Sequence, residues 1–266
     1  LSAAQLETSA LKQNSVGRIF EEHPLSFPEG RSHREYHAVT RGWIANEIFR
    51  RIEPGQRTMG EFLRQHISEP LGIDVYFDIN ADEAHRLSRV QPRGLMSQLL
   101  DSFLPGSQAR RIGLTPVELF KRSRRVLAAV YGNRRPALAV PVKGIKTDGF
   151  GVFDSSEYLQ AQIPSAGAKC SARGLAKLAA AMAGGGVIQG HRVLGQSALN
   201  ALHAEPVERS MTIMKNRFTQ GGMAKFSESD AAKGPLEAGI SAGRGGFYGW
   251  LGLGGSVFQW HPQHRI

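Results

Sequence analysis

The chain has 266 residues, 41% of them apolar and 21% charged, enough to bury a sizeable core as one large domain or two small ones. It contains no uninterrupted apolar run of about 18 residues, which excludes a membrane-spanning helix at the level of sequence. Its single cysteine, Cys170, excludes an internal disulfide framework; with no basic-then-apolar leader after Leu1, this favours a reducing, cytoplasmic compartment.

Residues 1 to 30 read as a polar, helical entry followed by a loop from Pro24 to Gly30. The stretch Glu35-Tyr36-His37-Ala38-Val39-Thr40-Arg41-Gly42-Trp43 then opens an apolar helix, with Tyr36 at its mouth. Ile44, Ile48 and Ile52 recur every four residues, with Ala45 and Phe49 beside them, and predict the buried face of that helix. Glu53-Pro54-Gly55 ends it. Thr58 and Glu61 spell a capping box for the next helix, whose inner side is read as Phe62, Leu63 and Ile67. Gly72, in Glu69-Pro70-Leu71-Gly72-Ile73-Asp74, stands where a left-handed cap is wanted.

Residues 75 to 112 have no stable period and read as loops with short helices. Thr115-Pro116-Val117-Glu118 is a helix start, with Phe120, Leu127, Val130 and Tyr131 on roughly one side. Much of the +10 net charge sits here, in Arg110-Arg111, Lys121-Arg122, Arg124-Arg125 and Arg134-Arg135. Residues 121, 122 and 125 share a helix face, the pattern of a solvated surface. No zinc-ligand spacing, RNA-binding aromatic signature or helix-turn-helix pattern accompanies it, so the expectation is no nucleic acid and no membrane partner.

Further on come Ile163-Pro164-Ser165-Ala166-Gly167 and a helix from Ser171, with a stripe of Leu175, Leu178, Ala179 and Met182 that Gly184-Gly185-Gly186 ends. Cys170 is read as a small buried residue at the mouth of that helix. From Glu208 the pattern shifts to short strands: Met211 and Ile213, then Phe247 to Leu251, then Val257 to Trp260, the last two separated by Gly252-Leu253-Gly254-Gly255-Ser256. Ile266 would begin a returning strand, so the chain reads as an internal stretch lacking strands at both ends.

Three of these stretches resemble, in order and spacing, the serine β-lactamase-related family of class C-type β-lactamases, penicillin-binding proteins and esterase-like relatives. They are the Tyr36 to Trp43 segment with its helix, Glu69-Pro70-Leu71-Gly72, and the Pro164-Ser165 loop followed by Ser171-Ala172-Arg173-Gly174-Leu175-Ala176-Lys177-Leu178. The resemblance implies an α+β fold, with a helical lobe over 1–205 beside a mainly antiparallel sheet over 206–266. It implies acyl transfer by a serine nucleophile paired with a lysine, a tyrosine that passes the proton to the leaving group, and backbone N–H groups that hold the oxyanion.

Tyr36 matches the tyrosine, Trp250-Leu251-Gly252 the third motif, and the N–H of Leu253 the oxyanion donor. Ala38 stands where many members keep an asparagine, and Trp250 where they keep a cation or imidazole; a neutral indole cannot lower a tyrosine pKa by charge. Gly252 would let substrate approach the strand. Ser9-Ala10-Leu11-Lys12 spells the nucleophile pair but lies too close to Tyr36, and Lys146-Thr147-Asp148-Gly149 carries an inserted Asp; both are read as chance.

The implied partner is a small ester or amide, with neither cofactor nor metal. His33, His37, His261 and His264 lack a third ligand at metal spacing. A homo-oligomer is compatible with this reading. A catalytically silent relative used for binding or assembly is the alternative function, and a basic nucleic-acid module a distant third.

Overall fold

The computed structural model describes residues 3–24, 37, 39–89, 95–107, 115–121, 124, 154–210, 215–228, 241–252 and 255–266. The chain divides into two compact units. The first comprises Leu1–Gln91, Ala137–Leu178 and Ile188–Val193; the second comprises Pro92–Pro136, Ala179–Val187 and Leu194–Ile266.

The first unit is mainly helical. Helices α1 (Thr8–Lys12) and α2 (Gly17–Glu22) form the entry. Despite its polar composition, that entry places Leu6, Leu11 and Val16 at the centre of a core with Trp43, Tyr158, Ala161 and Ile163. Helix α3 (Thr40–Ile52) contributes Trp43 to this core.

The expected inner stripe of α3 is overturned: Ile44, Ile48 and Ile52 are 40%, 57% and 74% exposed. The face turned inward carries Thr40, Gly42, Trp43, Asn46, Glu47 and Arg50. One large indole, whose Nε1 donates to the Gln162 carbonyl at 3.0 Å, outweighs three isoleucines as the anchor. The buried charges are paired, Arg50 donating to Glu47 at 2.8 Å and to Asn14 Oδ1 at 3.0 Å.

Helix α4 (Met59–Leu63) begins at the predicted capping box. The Glu61 N–H donates to Thr58 Oγ1 at 3.2 Å and the Thr58 N–H to Glu61 Oε2 at 2.9 Å. A π-helical turn, Arg64–Ser68, follows. Phe62, Leu63 and Ile67 are half-buried, while Leu71 and Ile73 reach the core. Gly72 takes a left-handed φ of +57°, as its position in the sequence requires. Strand β1 (Val75–Tyr76) pairs antiparallel with β2 (Lys169–Cys170).

The second unit holds the sheet. Helix α5 (Leu95–Phe103) and a helical segment at 116–121 precede it in the chain. Thr115 caps that segment, its Oγ1 accepting from the Glu118 N–H at 3.2 Å. After α6 (Ser156–Gln160) in the first unit, α7 (Ala172–Ala183) passes from one unit into the other. Ser171 caps it by accepting from the Gly174 N–H at 3.0 Å. Gly185 and Gly186, at φ +82° and +80°, stop it, with the Gly186 N–H bonded back to the Ala181 carbonyl at 2.7 Å. Its fully buried positions are Gly174, Ala181 and Ala183, whereas the expected stripe of Leu175, Leu178, Ala179 and Met182 is half-buried.

A short ladder of β3 (Val187–Ile188) and β4 (His191–Arg192) leads to α8 (Gln196–His203). Five strands then run as an antiparallel meander in chain order: β5 (Val207–Ser210), β6 (Lys215–Phe218), β7 (Ala224–Lys225), β8 (Tyr248–Leu251) and β9 (Val257–Trp260). Ala183, Tyr248 and Trp260 form the core of this unit, with Met182, Met223 and Phe258 against it. Met211 and Ile213, Leu127, Val130 and Tyr131 lie outside the described residues. After β9 the backbone turns, and the His261 N–H donates to the Ile266 carbonyl at 2.6 Å; Ile266 itself is in no strand.

Candidate active site

Three of the stretches that carry the resemblance interlock in the first unit. Gly42 packs against the Pro164-Ser165 loop so closely that a Cβ there would stand 2.7 Å from Ser165 Oγ. Trp43 bonds to the Gln162 backbone immediately before that loop. Gly174 sits on Asp74, where a Cβ would meet the Asp74 carbonyl carbon at 3.0 Å. The Ser171 N–H donates to the Asp74 carbonyl at 3.0 Å, and Lys177 Nζ donates to the Gly72 carbonyl at 2.8 Å. Gly42 and Gly174 are therefore places where chain meets chain, with no room for a side chain.

Gln162 is the polar centre of this junction, and sequence reasoning missed it. Fully buried, it donates through Nε2 to Thr8 Oγ1 at 2.7 Å and to Asp78 Oδ2 at 3.2 Å, and accepts at Oε1 from the Gly60 N–H at 3.3 Å. No local pattern announces it, because its partners lie 84 to 154 residues away along the chain, or 102 for Gly60.

Of the expected site residues, Tyr36, Ala38 and Leu253 lie outside the described residues, as do His33 and Lys146 to Gly149. Next to Tyr36, His37 Nδ1 and Thr40 Oγ1 share a hydrogen bond of 2.8 Å at the start of α3. Trp250 lies in β8 of the second unit, opposite Phe258 of β9, and its ring stacks on Phe218 at 5.4 Å between centroids. The stack spans the short strand β7, whose Ala224 is registered against both Phe218 and Gly249.

Gly252 opens the turn between β8 and β9. Its N–H donates to the Ser256 carbonyl at 2.8 Å, and a Cβ on it would stand 3.3 Å from Ser256 Cβ. Its smallness thus serves the hairpin itself. A shallow groove of about 440 Å³ on the same unit is lined by Arg217, Lys225, Phe226, Ser227, Glu228, Gly245 and Gly246, without Trp250 or Gly252. It is open and polar, and its position leaves it outside the motif chemistry.

Two other features resemble catalytic pairs. Ser9 is exposed and Lys12 Nζ donates to Glu61 Oε1 at 3.1 Å, an ion pair that turns the amine away from nucleophile activation. Lys169 is buried, and loss of solvent pulls its amine down to about 8, with the Asp78 charge opposing. Its Nζ donates to the Phe77 carbonyl at 2.9 Å and the Tyr158 carbonyl at 3.2 Å. Tyr158, whose phenol burial pushes up, donates instead to the Ala166 carbonyl at 2.6 Å. The pair ties backbone together and exposes no reactive atom.

Cys170 is exposed, correcting its expected burial: in the short strand β2 the neighbour Lys169 takes the inward place and the thiol faces out. Among the described residues, no three His, Cys, Asp or Glu side chains are grouped as a metal ion would require. His261 and His264 face each other at 4.1 Å between ring centroids, and loss of solvent and then the neighbouring imidazole lower the His261 pKa.

Helices interlocked through small-residue contacts in one unit, and an antiparallel meander in the other, define an α+β protein of the β-lactamase and transpeptidase type. The β-lactamase family model matches residues 3–266, and the chain belongs to that family. No curated protein sequence matches it.

Among solved structures, a penicillin-binding protein homologue from Caulobacter crescentus is 24% identical with a TM-score of 0.60, over 99% of this chain and 62% of that one. A family VIII carboxylesterase is 19% identical with a TM-score of 0.63, over 100% and 58%. EstA from Arthrobacter nitroguajacolicus Rue61a is 18% identical with a TM-score of 0.61, over 100% and 59%. This chain therefore spans about three-fifths of the length of these structures, and the likeness to them is one of fold.

Proposed function

We propose that this chain is part of a serine hydrolase that cleaves a small ester or amide through an acyl-enzyme. In this reading 1–205 and 206–266 are the helical and sheet parts of one domain. Tyr36 passes the proton of the attacking serine to the leaving group, the Leu253 N–H holds the oxyanion, and Ala38, Trp250 and Gly252 border the substrate. The observation that carries the proposal is the packing of Gly42 and Trp43 against the stretch from Gln162 to Ser165, and of Gly174 against Asp74, in a member of the β-lactamase family. In this reading the site is completed by a Ser-x-x-Lys pair other than Ser9 and Lys12, whose amine is paired with Glu61.

Without that serine, Tyr36 has no proton to relay, and a phenol with a reference pKa of about 10 is a poor nucleophile at neutral pH. The 266-residue chain is therefore expected to hydrolyse neither a chromogenic β-lactam nor a short aryl ester above background, and to escape labelling by a fluorophosphonate. A longer chain containing a Ser-x-x-Lys pair is expected to be labelled at that serine and to prefer esters, since Trp250 supplies no charge for a penicillin carboxylate. Labelling at Ser9 would overturn the assignment.

The stacking of Trp250 on Phe218 favours a second reading, a silent relative that binds without turnover. It predicts ligand binding without labelling in the longer chain.

A further inference from the structure

Helix α5 is amphipathic in the wrong sense for a core helix. Met96, Leu99, Leu100 and Phe103 recur at i, i+3, i+4 and i+7 on one face, and that face is exposed: Met96 by 70% and Phe103 by 62%. Leu104, just past the helix, is exposed as well. In the same unit the helical segment at 116–121 repeats the arrangement. Val117, Phe120 and Lys121 lie exposed on one face, continued by exposed Arg124 at i+7. Phe120, which the sequence groups on roughly one side with Leu127, Val130 and Tyr131, is 65% exposed.

Charge identifies what would cover these side chains. Between residues 92 and 136 the chain has nine Lys and Arg against two Asp and Glu, a surplus of seven out of the ten of the whole chain. On the segment that begins at 116, Val117 and Phe120 share their exposed face with Lys121 and Arg124, a pattern that matches the boundary of an anionic bilayer, which takes up apolar side chains at acyl depth and cations at headgroup depth. A nucleic acid would use the cations and leave Met96, Leu100 and Phe103 in water. No helix among the described residues is long and apolar enough to cross a membrane, so the contact is peripheral.

We infer that the exposed faces of α5 and of the 116–121 helix, with Arg124, dock on an anionic phospholipid membrane. Read from composition alone, the basic stretch is only a solvated face; exposed Val117 and Phe120 on the helix face of Lys121 and Arg124 change that reading. The inference does not depend on catalysis and holds equally for an active or a silent protein.

Sedimentation of the purified protein with vesicles tests it, using phosphatidylcholine alone and phosphatidylcholine mixed with phosphatidylglycerol. The protein is expected to pellet with the mixed vesicles, far less with phosphatidylcholine, and less as salt is raised. Replacing Lys121 and Arg124 together by Ala is expected to weaken binding about 30-fold, roughly fivefold for each cation. Leu100→Glu with Phe103→Glu is expected to reduce it to background while circular dichroism stays unchanged, since both side chains are exposed.

As an independent readout, an environment-sensitive dye on Met96→Cys, in a Cys170→Ser background, is expected to shift to the blue on mixed vesicles. Equal binding to both vesicle types, full binding by the double Glu variant, or an unshifted dye would each overturn the inference. So would a concentration-dependent dimer abolished by Phe103→Glu without vesicle binding, which would make this face a contact between two copies.

Discussion

Gln162 in the first unit and His203 in the second each show how one polar side chain fixes the packing around it. Removing the Gln162 amide strands the buried Gly60 N–H and withdraws a donor from Thr8 and Asp78. Gln162→Leu, similar in volume, is therefore expected to cost about 2–4 kcal/mol, measured as a fall in the urea midpoint at unchanged slope. In the second unit, His203 Nε2 accepts from Trp260 Nε1 at 2.8 Å, which requires an unprotonated Nε2, and loss of solvent lowers the His203 pKa. Folding thus favours the neutral ring. Its contribution is complete above the unfolded-state value of about 6.5 and is lost as pH falls through the lower folded value. Thermal stability is expected to decline as pH falls below about 6.5, and less steeply in His203→Gln, which keeps an acceptor without titrating.

At the scale of the element, α3 reverses the usual relation between apolar pattern and burial. Trp43→Ala opens a cavity in the core of the first unit and strips the Gln162 carbonyl of its donor, at an expected cost of about 3–5 kcal/mol by chemical unfolding. Ile48→Glu, on the exposed face, is expected to change stability by less than about 0.5 kcal/mol. The reverse ranking would restore the isoleucine stripe as the inner face.

This element also marks how far sequence reaches. The Thr58–Glu61 box, the Thr115 and Ser171 caps, the left-handed Gly72 and the glycine stop after Ala183 were legible because each is satisfied within a few residues. The position of the last two strands and the turn between them was legible too. The inner face of α3 was not, because Trp43 and Arg50 are chosen by Gln162 and Asn14, which are 119 and 36 residues away. The same limit explains the thiol of Cys170, whose direction is set by which strand residue β1 and the Tyr158 carbonyl draw inward.

At the scale of the whole molecule, large apolar side chains stand exposed in both units among the described residues: the isoleucines of α3 in the first, and α5 with Val117 and Phe120 in the second. A monomer rarely keeps such patches uncovered in water. The 266-residue chain by itself is expected to bind a hydrophobic dye strongly and to aggregate on warming, and Ile44→Lys with Ile48→Lys is expected to lower dye binding without altering circular dichroism. A sharp, reversible, single unfolding transition with little dye bound would mean that these faces are already satisfied.

The outward thiol of Cys170 has a practical corollary. As the chain's sole sulfhydryl, it is a built-in address for one reporter group, at the pairing of Val75 with Cys170 and one residue before the Ser171–Asp74 contact that joins two of the motif stretches. Partial burial raises its pKa, so coupling will proceed more slowly at neutral pH than with a free thiol and faster in mild alkali. A dye placed there would register the parting of β1 from β2 while the rest of the fold stays closed, timing one seam of the molecule apart from its global melting.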